Sequence, residues 1–403
     1  MTAHENYIKA KEKLLAKYYQ NYSDAASKKK LTAHVTGFLP FEVLVAMDIF
    51  PFYPEGYATR ACNTDMGDEL VFEAEKAGVS RDLCAFSTCA LGSMYSDKGP
   101  QGGMIAPDLL ISSAYTCGAH VPWWELMHQH YKVPLFIIDG PVLCADYEER
   151  HIDFYISQTK ELISFLEKET GKDFDEDRFE KVVELSSDAC EYFHKVIELR
   201  KNSPSPVGFR QLFADMFGLV NVTGEQETLD FYKAFYEETL EKKENNIGVA
   251  EHEEYRLIWD NLPIYHDMDL FDYFESKGMV FVYETLLKEY FAKGLDKSDP
   301  FRGLAKKYLT GWTNRRLDRK IEIVEEAVKE YRVDGIVVFE NKGCRGYSTG
   351  QLDVAKSLKE KIGIPNMIVE GSMADPGSHD PNKFRSMVDM FHEVLKSQSA
   401  GGR

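Results

Sequence analysis

The chain repeats itself, and that repetition limits its fold more than any other feature. The run Ala106-Pro107-Asp108-Leu109-Leu110-Ile111 leads to Cys117, then to a helical stretch, then to Val133-Pro134-Leu135-Phe136-Ile137-Ile138-Asp139-Gly140. Far downstream, Val333-Asp334-Gly335-Ile336-Val337-Val338 leads to Cys344, then to a helical stretch, then to Ile364-Pro365-Asn366-Met367-Ile368-Val369-Glu370-Gly371. The segment from Leu39-Pro40 through Tyr53 and Glu55 likewise parallels Leu262-Pro263 through Tyr283 and Glu284. A short apolar run, a loop, a helix and a second apolar run make one βαβ unit, and such units build parallel sheets. Occurring twice, the pattern predicts an α/β chain of two similar doubly wound parallel-sheet domains related by duplication.

Between the repeats the hydrophobic period changes. Over 151–245 charged and apolar residues follow helical spacing with few strand signals, which predicts a helical connector. The expected division is 1–150 for the N-terminal α/β domain, 151–250 for the connector and 251–403 for the C-terminal α/β domain. Within these, 4–22 reads as amphipathic helix, 31–53 as strand, helix and strand, 123–131 as helix, and 134–139 as a buried strand. Further strands are expected near 256–259, 279–283, 335–339 and 366–369.

With 44% hydrophobic residues, including 25 Phe, 22 Tyr and 4 Trp, the chain has the material for a packed interior. Its net charge of −18 argues against nucleic acid as a partner, because phosphate binding is driven by clustered Lys and Arg that release counterions. One basic run, Asn314-Arg315-Arg316-Leu317-Asp318-Arg319-Lys320, could meet an anionic substrate, although charges at helical spacing ordinarily form a solvated face. The first 22 residues mix charged and apolar positions without the unbroken apolar core of a signal peptide. No stretch approaches the roughly 18 apolar residues of a membrane span. A cytoplasmic protein is therefore expected, in which cysteines serve as thiols, ligands or catalytic groups rather than disulfides.

Cys117 and Cys344 occupy matching points of the repeat, each just after an expected strand. Ligands of doubly wound sheets collect in the crevice at the carboxyl ends of the strands, so two facing domains would bring both thiols into one cleft. Cys84 is read with them. Cys89-Ala90-Leu91-Gly92 behind it can start a helix, whose N-terminal N–H groups stabilise thiolate and sulfide charge. Gly343 and Gly346 flank Cys344 and permit close backbone approach. Singly, each cysteine is the kind of residue that packs in a core. Their shared loop placement makes Cys84, Cys117 and Cys344 the expected ligands of an iron–sulfur cluster. Cys190, inside a helical stretch, is expected to be structural, whereas Cys62, Cys89 and Cys144, in or beside expected loops at the same cleft edge, leave a larger cluster open.

Several stretches in combination resemble the 2-hydroxyacyl-CoA dehydratase and benzoyl-CoA reductase family. They are Tyr53-Pro54-Glu55-Gly56, Gly78-Val79-Ser80-Arg81-Asp82-Leu83-Cys84, Pro107-Asp108 through Cys117, Val133 through Asp139, and Gly343-Cys344-Arg345-Gly346-Tyr347-Ser348-Thr349-Gly350-Gln351. The likeness spans most of the chain. It implies that the three cysteines hold a [4Fe-4S] cluster with one iron free of protein thiolate, open to water or a substrate oxygen. It also implies a second homologous subunit or a homodimer, an acyl-CoA substrate, and a separate ATP-hydrolysing iron–sulfur activator that injects an electron. In agreement, the sequence contains no GxxxxGK[ST] phosphate loop and no GxGxxG opening a helix after a strand.

The implied reaction is the radical elimination of water from an (R)-2-hydroxyacyl-CoA. The proton to be lost sits on C3 and is barely acidic, but one added electron gives a ketyl radical anion that expels the 2-hydroxyl and acidifies C3. Glu55, at the Tyr-Pro-Glu turn after an expected strand, is the candidate carboxylate for handling protons or orienting the hydroxyl. His34 and Tyr347 are further candidates, although a histidine beside a strand is ordinarily a satisfied core residue. The additional cysteines admit a double-cubane-cluster reductase of small molecules as an alternative, and a benzoyl-CoA reductase-type subunit is another. A two-domain ligand-binding protein without iron is the non-enzyme reading of the same architecture.

Overall fold

The computed structural model describes residues 2–142, 147–290 and 295–401, and Cys144 lies outside them. Strands β1 (Leu31–Val35), β2 (Ile49–Phe52), β3 (Leu109–Ser113) and β4 (Leu135–Ile138) form one parallel sheet in the order β2-β1-β3-β4. Strands β5 (Tyr255–Asp260), β6 (Met279–Glu284), β7 (Gly335–Asn341) and β8 (Asn366–Gly371) form a second, in the order β6-β5-β7-β8. The two orders coincide strand for strand, as the repeated sequence requires. A shared device fixes both. Asp108, just before β3, accepts from Thr32 N–H at 2.9 Å while its own N–H donates to the Thr32 carbonyl at 2.8 Å. Asp334, just before β7, makes the same pair of bonds with Arg256 at 2.9 and 2.7 Å. Each aspartate thus locks the register of the central strand pair of its sheet.

In the first unit, α1 (Ala3–Ala26) precedes the sheet and α2 (Phe41–Ala46) joins β1 to β2. Helices α3 (Pro54–Asn63), α4 (Gly67–Lys76) and α5 (Ala85–Ser96) lie between β2 and β3, and α6 (His120–Tyr131) joins β3 to β4. The middle of the chain is helical, as its period predicts: α7 (Glu149–Thr170), α8 (Glu176–Leu199), α9 (Phe209–Asp215), α10 (Phe217–Asn221) and α11 (Gln226–Glu244). The second unit carries α12 (Asp269–Ser276), α13 (Thr285–Tyr290), α14 (Pro300–Leu309), α15 (Leu317–Tyr331), α16 (Arg345–Ser348), α17 (Gln351–Ile362) and α18 (Pro381–Gly401). No helix among the described residues is long and apolar enough to cross a membrane.

Two differences from the sequence reading have physical causes. The segment expected as a buried strand, β4, is the edge of its sheet: Ile138 is buried, but Leu135 to Ile137 are half-exposed, and Phe136 is covered by Phe165 of α7 with ring centroids 5.3 Å apart. The basic run at 314–320 is not a patch. Arg316 pairs with Asp318, Arg319 with Glu322, and Lys320 is buried over the Trp312 ring at 5.3 Å.

Helix α1 packs its C-terminal half on β2, through Tyr18 and Tyr22 against Phe50 and Phe52, and its N-terminal half on the helical segment, where Tyr7 donates to Asp215 at 2.6 Å and Lys11 pairs with the same carboxylate. A more consequential crossing involves α14, whose Leu304, Ala305, Tyr308 and Leu309 belong to the apolar core formed by β1, β3, α2, α7 and α8. At its centre sits the buried carboxylate of Glu42 on α2. It accepts from Lys307 Nζ and Ser186 Oγ, each at 2.7 Å, and from the Tyr308 hydroxyl at 2.8 Å. Burial alone would raise the pKa of Glu42, but the charge and hydrogen bond of Lys307 outweigh it and hold the carboxyl below its ordinary range. Three segments far apart in sequence are pinned at one point. Lys307→Met should therefore cost about 3–5 kcal/mol, since it strands a buried charge. Urea unfolding measures this as a lower midpoint, and a loss under about 1 kcal/mol would show that the pin contributes little.

Candidate active site

In both sheets the strand order reverses beside the first strand, between β1 and β3 and between β5 and β7, which is where a doubly wound fold opens a crevice. The loop after β3 carries Cys117 and the loop after β7 carries Cys344, so the repeat places both cysteines at equivalent switch points. Cys84 comes from a third segment and is the N-cap of α5, which begins at Ala85 rather than at Cys89. The loops meet at glycines. Gly343 has φ +74°, and a Cβ there would lie 2.6 Å from the Leu83 carbonyl oxygen and 2.9 Å from Cys84 N. Only a residue without a side chain permits that approach. Across the same seam, a Cβ at Gly346 would lie 3.6 Å from the Thr116 carbonyl oxygen. As a result Cys84, Cys117, Cys344 and Glu55 line one cavity of about 870 Å³.

Every one of the three sulfurs faces backbone N–H groups. Cys84 receives them from Phe86 and Ser87 in the first turn of α5, Cys117 from Ala119 and Gly346, and Cys344 from Tyr347 and Ser348. These donors favour thiolate, but they are outweighed. Burial, followed by the proximity of Cys344 and Cys117, pushes Cys84 well up, burial raises Cys117, and burial raises Cys344 to about 12. With protein groups alone the three are thiols, and only a nearby cationic centre makes thiolates of them. Among the described residues no three His, Cys, Asp or Glu side chains crowd closely enough to hold a single metal ion.

Glu55 occupies the first turn of α3 behind Pro54, where the helix dipole favours a carboxylate. Burial alone would raise its pKa. The hydrogen bond and charge of His120, with bonds from the Tyr53 side chain and the Gly37 N–H, hold it lower. His120 Nε2 is 3.1 Å from Glu55 Oε1, and since an ionised carboxylate only accepts, Nε2 carries the proton. On the other side of the ring, Nδ1 lies 3.2 Å from Thr116 Oγ1 and 3.3 Å from Ser113 Oγ, and these two hydroxyls also bond to each other. His120, the partner of Glu55, is a residue that the sequence reading passed over. Its signal was its position one turn beyond Cys117, in Cys117-Gly118-Ala119-His120.

The remaining candidates separate. His34 on β1 is buried, donates through Nε2 to the Ile105 carbonyl at 2.8 Å, and is pushed down to about 3 by burial, as a neutral core histidine should be. Tyr347 lines the cavity. Cys190 is buried in α8. Cys62 and Cys89 do not lie in loops: they sit in α3 and α5, and both thiols donate to the Ala374 carbonyl, at 3.2 and 3.4 Å, with Cys62 also reaching the cavity wall.

Residues 36–395 match the family described as 2-hydroxyglutaryl-CoA dehydratase, D-component. The chain belongs to that family. Relatives in the dehydratase D-component family cover nearly the whole chain. A benzoyl-CoA reductase subunit from Thauera aromatica is 26% identical over 98% of this chain and 95% of its own length. The (R)-2-hydroxyisocaproyl-CoA dehydratase alpha subunit of Clostridioides difficile is 27% identical over 96% and 95%. The alpha subunit of lactoyl-CoA dehydratase from Anaerotignum propionicum is 24% identical over 97% and 98%. Membership places the chain among enzymes, as the resemblance implied. For this dehydratase-family chain the seam is the first point to test. Gly343→Ala should force the Cys344 loop off Cys84, lowering the thermal midpoint and making the cysteine thiols more reactive to an alkylating reagent in the folded protein. Unchanged stability and unchanged thiol reactivity would show that the loops do not need to touch.

Proposed function

We propose that the chain is the iron–sulfur subunit of a radical (R)-2-hydroxyacyl-CoA dehydratase, with Cys84, Cys117 and Cys344 holding a [4Fe-4S] cluster and Glu55 acting as the catalytic carboxylate. The observation that carries this reading is the meeting of three thiols from three separate segments, with Glu55, on the wall of one cavity. The donor set suits such a group: N–H dipoles of the neighbouring loops and of the first turn of α5 favour thiolate at each sulfur. When bound there, a cluster supplies low-potential electrons and a Lewis-acidic iron.

The chain's own residues do the rest. Glu55, kept ionised by His120, is an acceptor for the C3 proton of a thioester or for its 2-hydroxyl. Thr116 and Ser113 hold the far side of the imidazole, so the Glu55 carboxylate keeps one orientation through the reaction. Phe38, Trp123 and Tyr347 line the same space and keep water from the reacting carbons. In this reading the chain works in the cytoplasm with a second homologous subunit or a second copy of itself. It takes its electron from a separate ATP-hydrolysing iron–sulfur activator, consistent with the lack of a phosphate-loop motif in its own sequence.

A larger, double-cubane cluster is the reading that Cys62 favours, because it reaches the cavity wall. Its bond to Ala374, shared with Cys89, supports a structural role instead. Anaerobic purification with iron and sulfide analysis decides between them: about four irons per chain support a single cubane, and about eight support the larger cluster. Alanine at Cys84, Cys117 or Cys344 should each abolish the visible absorbance, while Cys62→Ala should keep it. Retention in any of the first three removes that residue from the ligand set.

A further inference from the structure

Two arginines stand on the cavity wall, and they differ in what holds them. Arg210 on α9 is bonded to Asp269 at 2.9 Å and to Asp272, so its charge is already neutralised. Arg60, half-exposed in the last turn of α3, has no carboxylate partner among the described residues. Its guanidinium lies over the Tyr19 ring at 5.9 Å. Its charge also opposes the rise that burial causes at the hydroxyls of Tyr18, Tyr22 and Tyr57, so its surroundings are phenols and not anions. The carboxylates of the wall do not reach it. Glu55 is bonded to His120, Asp267 to His379 and Asp269 to Arg210, and Asp65, beyond the end of α3, makes no ion pair with Arg60.

In a chain of net charge −18, a guanidinium left without a carboxylate on a cavity wall has a definite chemistry. It stays protonated and presents a planar fork of N–H donors, which matches the paired oxygens of a carboxylate or a phosphate. Its place on the wall suits that use. Arg60 follows Glu55 by five residues on α3, about 7.5 Å along the helix axis, so an oxyanion held there stays clear of the Glu55 carboxylate. Asn63, three residues further on, also lines the cavity and adds an uncharged amide. Tyr19, on which Arg60 rests, is 45% exposed, which puts this part of the wall, between α1 and α3, at the surface. At about 870 Å³ the cavity is of the size that encloses a whole drug-sized molecule, well beyond a short acyl head, so the ligand extends past the reacting carbons.

We propose that Arg60 binds an oxyanion of the thioester ligand, from the phosphates of coenzyme A or from a carboxylate ending the acyl chain, while the acyl head lies with Glu55 and the cysteines. The proposal rests on the acyl-CoA reading above and deepens it.

The test is equilibrium binding by calorimetry to the anaerobically purified, iron-containing protein without activator, so that no turnover occurs. The probes are a branched-aliphatic 2-hydroxyacyl-CoA, 2-hydroxyglutaryl-CoA, and the pantetheine thioesters of the same two acids, which lack every phosphate. Arg60→Gln removes the charge and should leave the visible absorbance and the thermal midpoint as in the wild type. Should glutamine disturb either, Arg60→Met, which keeps an apolar stem over Tyr19, takes its place. A loss of affinity of about ten-fold for both coenzyme A thioesters, with both pantetheine thioesters unchanged, identifies the phosphates as the anion. A like loss confined to the two glutaryl thioesters identifies the acyl carboxylate. Wild-type affinity for all four probes overturns the proposal, and so does a comparable loss for the aliphatic pantetheine thioester, which carries no anion. Both of these outcomes leave the acyl-CoA reading intact. Should the wild-type protein bind none of the four, the acyl-CoA reading itself falls, and this proposal with it.

Discussion

The backbone of Gly343 rests directly on the Leu83 carbonyl and the Cys84 amide, with no space for a methyl group between them. The rest of the cavity follows from that contact. The two sheets are built alike and each carries one cysteine at its own switch point, yet duplication alone does not join those points. Joining requires backbone to touch backbone across the seam, and glycine is the residue that allows it at a positive φ. Gly346 lies at the same joint, close to the Thr116 carbonyl of the other half. The wall containing three thiols is thus built of main chain, which holds position far better than long side chains would.

Along that wall two opposite electrostatic tendencies sit side by side. Burial raises the cysteines, and they raise one another, while His120, Tyr53 and Gly37 hold Glu55 down against the same burial. A carboxylate that stays ionised next to thiols that stay protonated divides the labour in advance: the carboxylate is ready to accept a proton, and the sulfurs lose theirs only when positive charge arrives among them. The hydroxyls of Thr116 and Ser113 extend this arrangement inward, because each can donate or accept and so satisfies the imidazole without a rearrangement of the backbone.

Much of this was legible in the order of residues. The alternation of apolar runs and helical stretches set both sheets and their common strand order, and Asp108 and Asp334 recur at the positions where they bridge the central strands. Cys117 and Cys344 were singled out because the repeat aligns them, and Glu55 because it stands at the turn after an expected strand. His120 was missed for the converse reason. Its partner lies 65 residues away, and the repeat aligns no histidine with it, so no local period marks the pair. Cys62 and Cys89 were read as in or beside loops, with a helix able to start only at Cys89, because no apolar period marks the small and polar residues around them. In the structure they are the close-packed faces of α3 and α5. At Gly92 a Cβ would collide with the Leu70 carbonyl, which shows how tightly α4 and α5 are pressed together. The exposure of β4 was hidden too, since an apolar run of four reads the same whether a strand has one neighbour or two.

The crossing of α14 has a consequence for the order in which the molecule is made. By the time Ile138 is synthesised, all four strands of the first sheet exist, and the segment carrying α7 and α8 follows soon after. The core beneath that sheet is still open, because Leu304, Ala305, Tyr308 and Leu309 have not yet been added, and Glu42 has no counter-ion until Lys307 appears. On the ribosome the first half therefore waits with an apolar face uncovered and an unpaired carboxylate inside it, through the whole time taken to translate the helical segment and β5 and β6. Such an intermediate is a natural client for a chaperone, and a nascent chain halted anywhere before residue 300 would lack the piece that closes it.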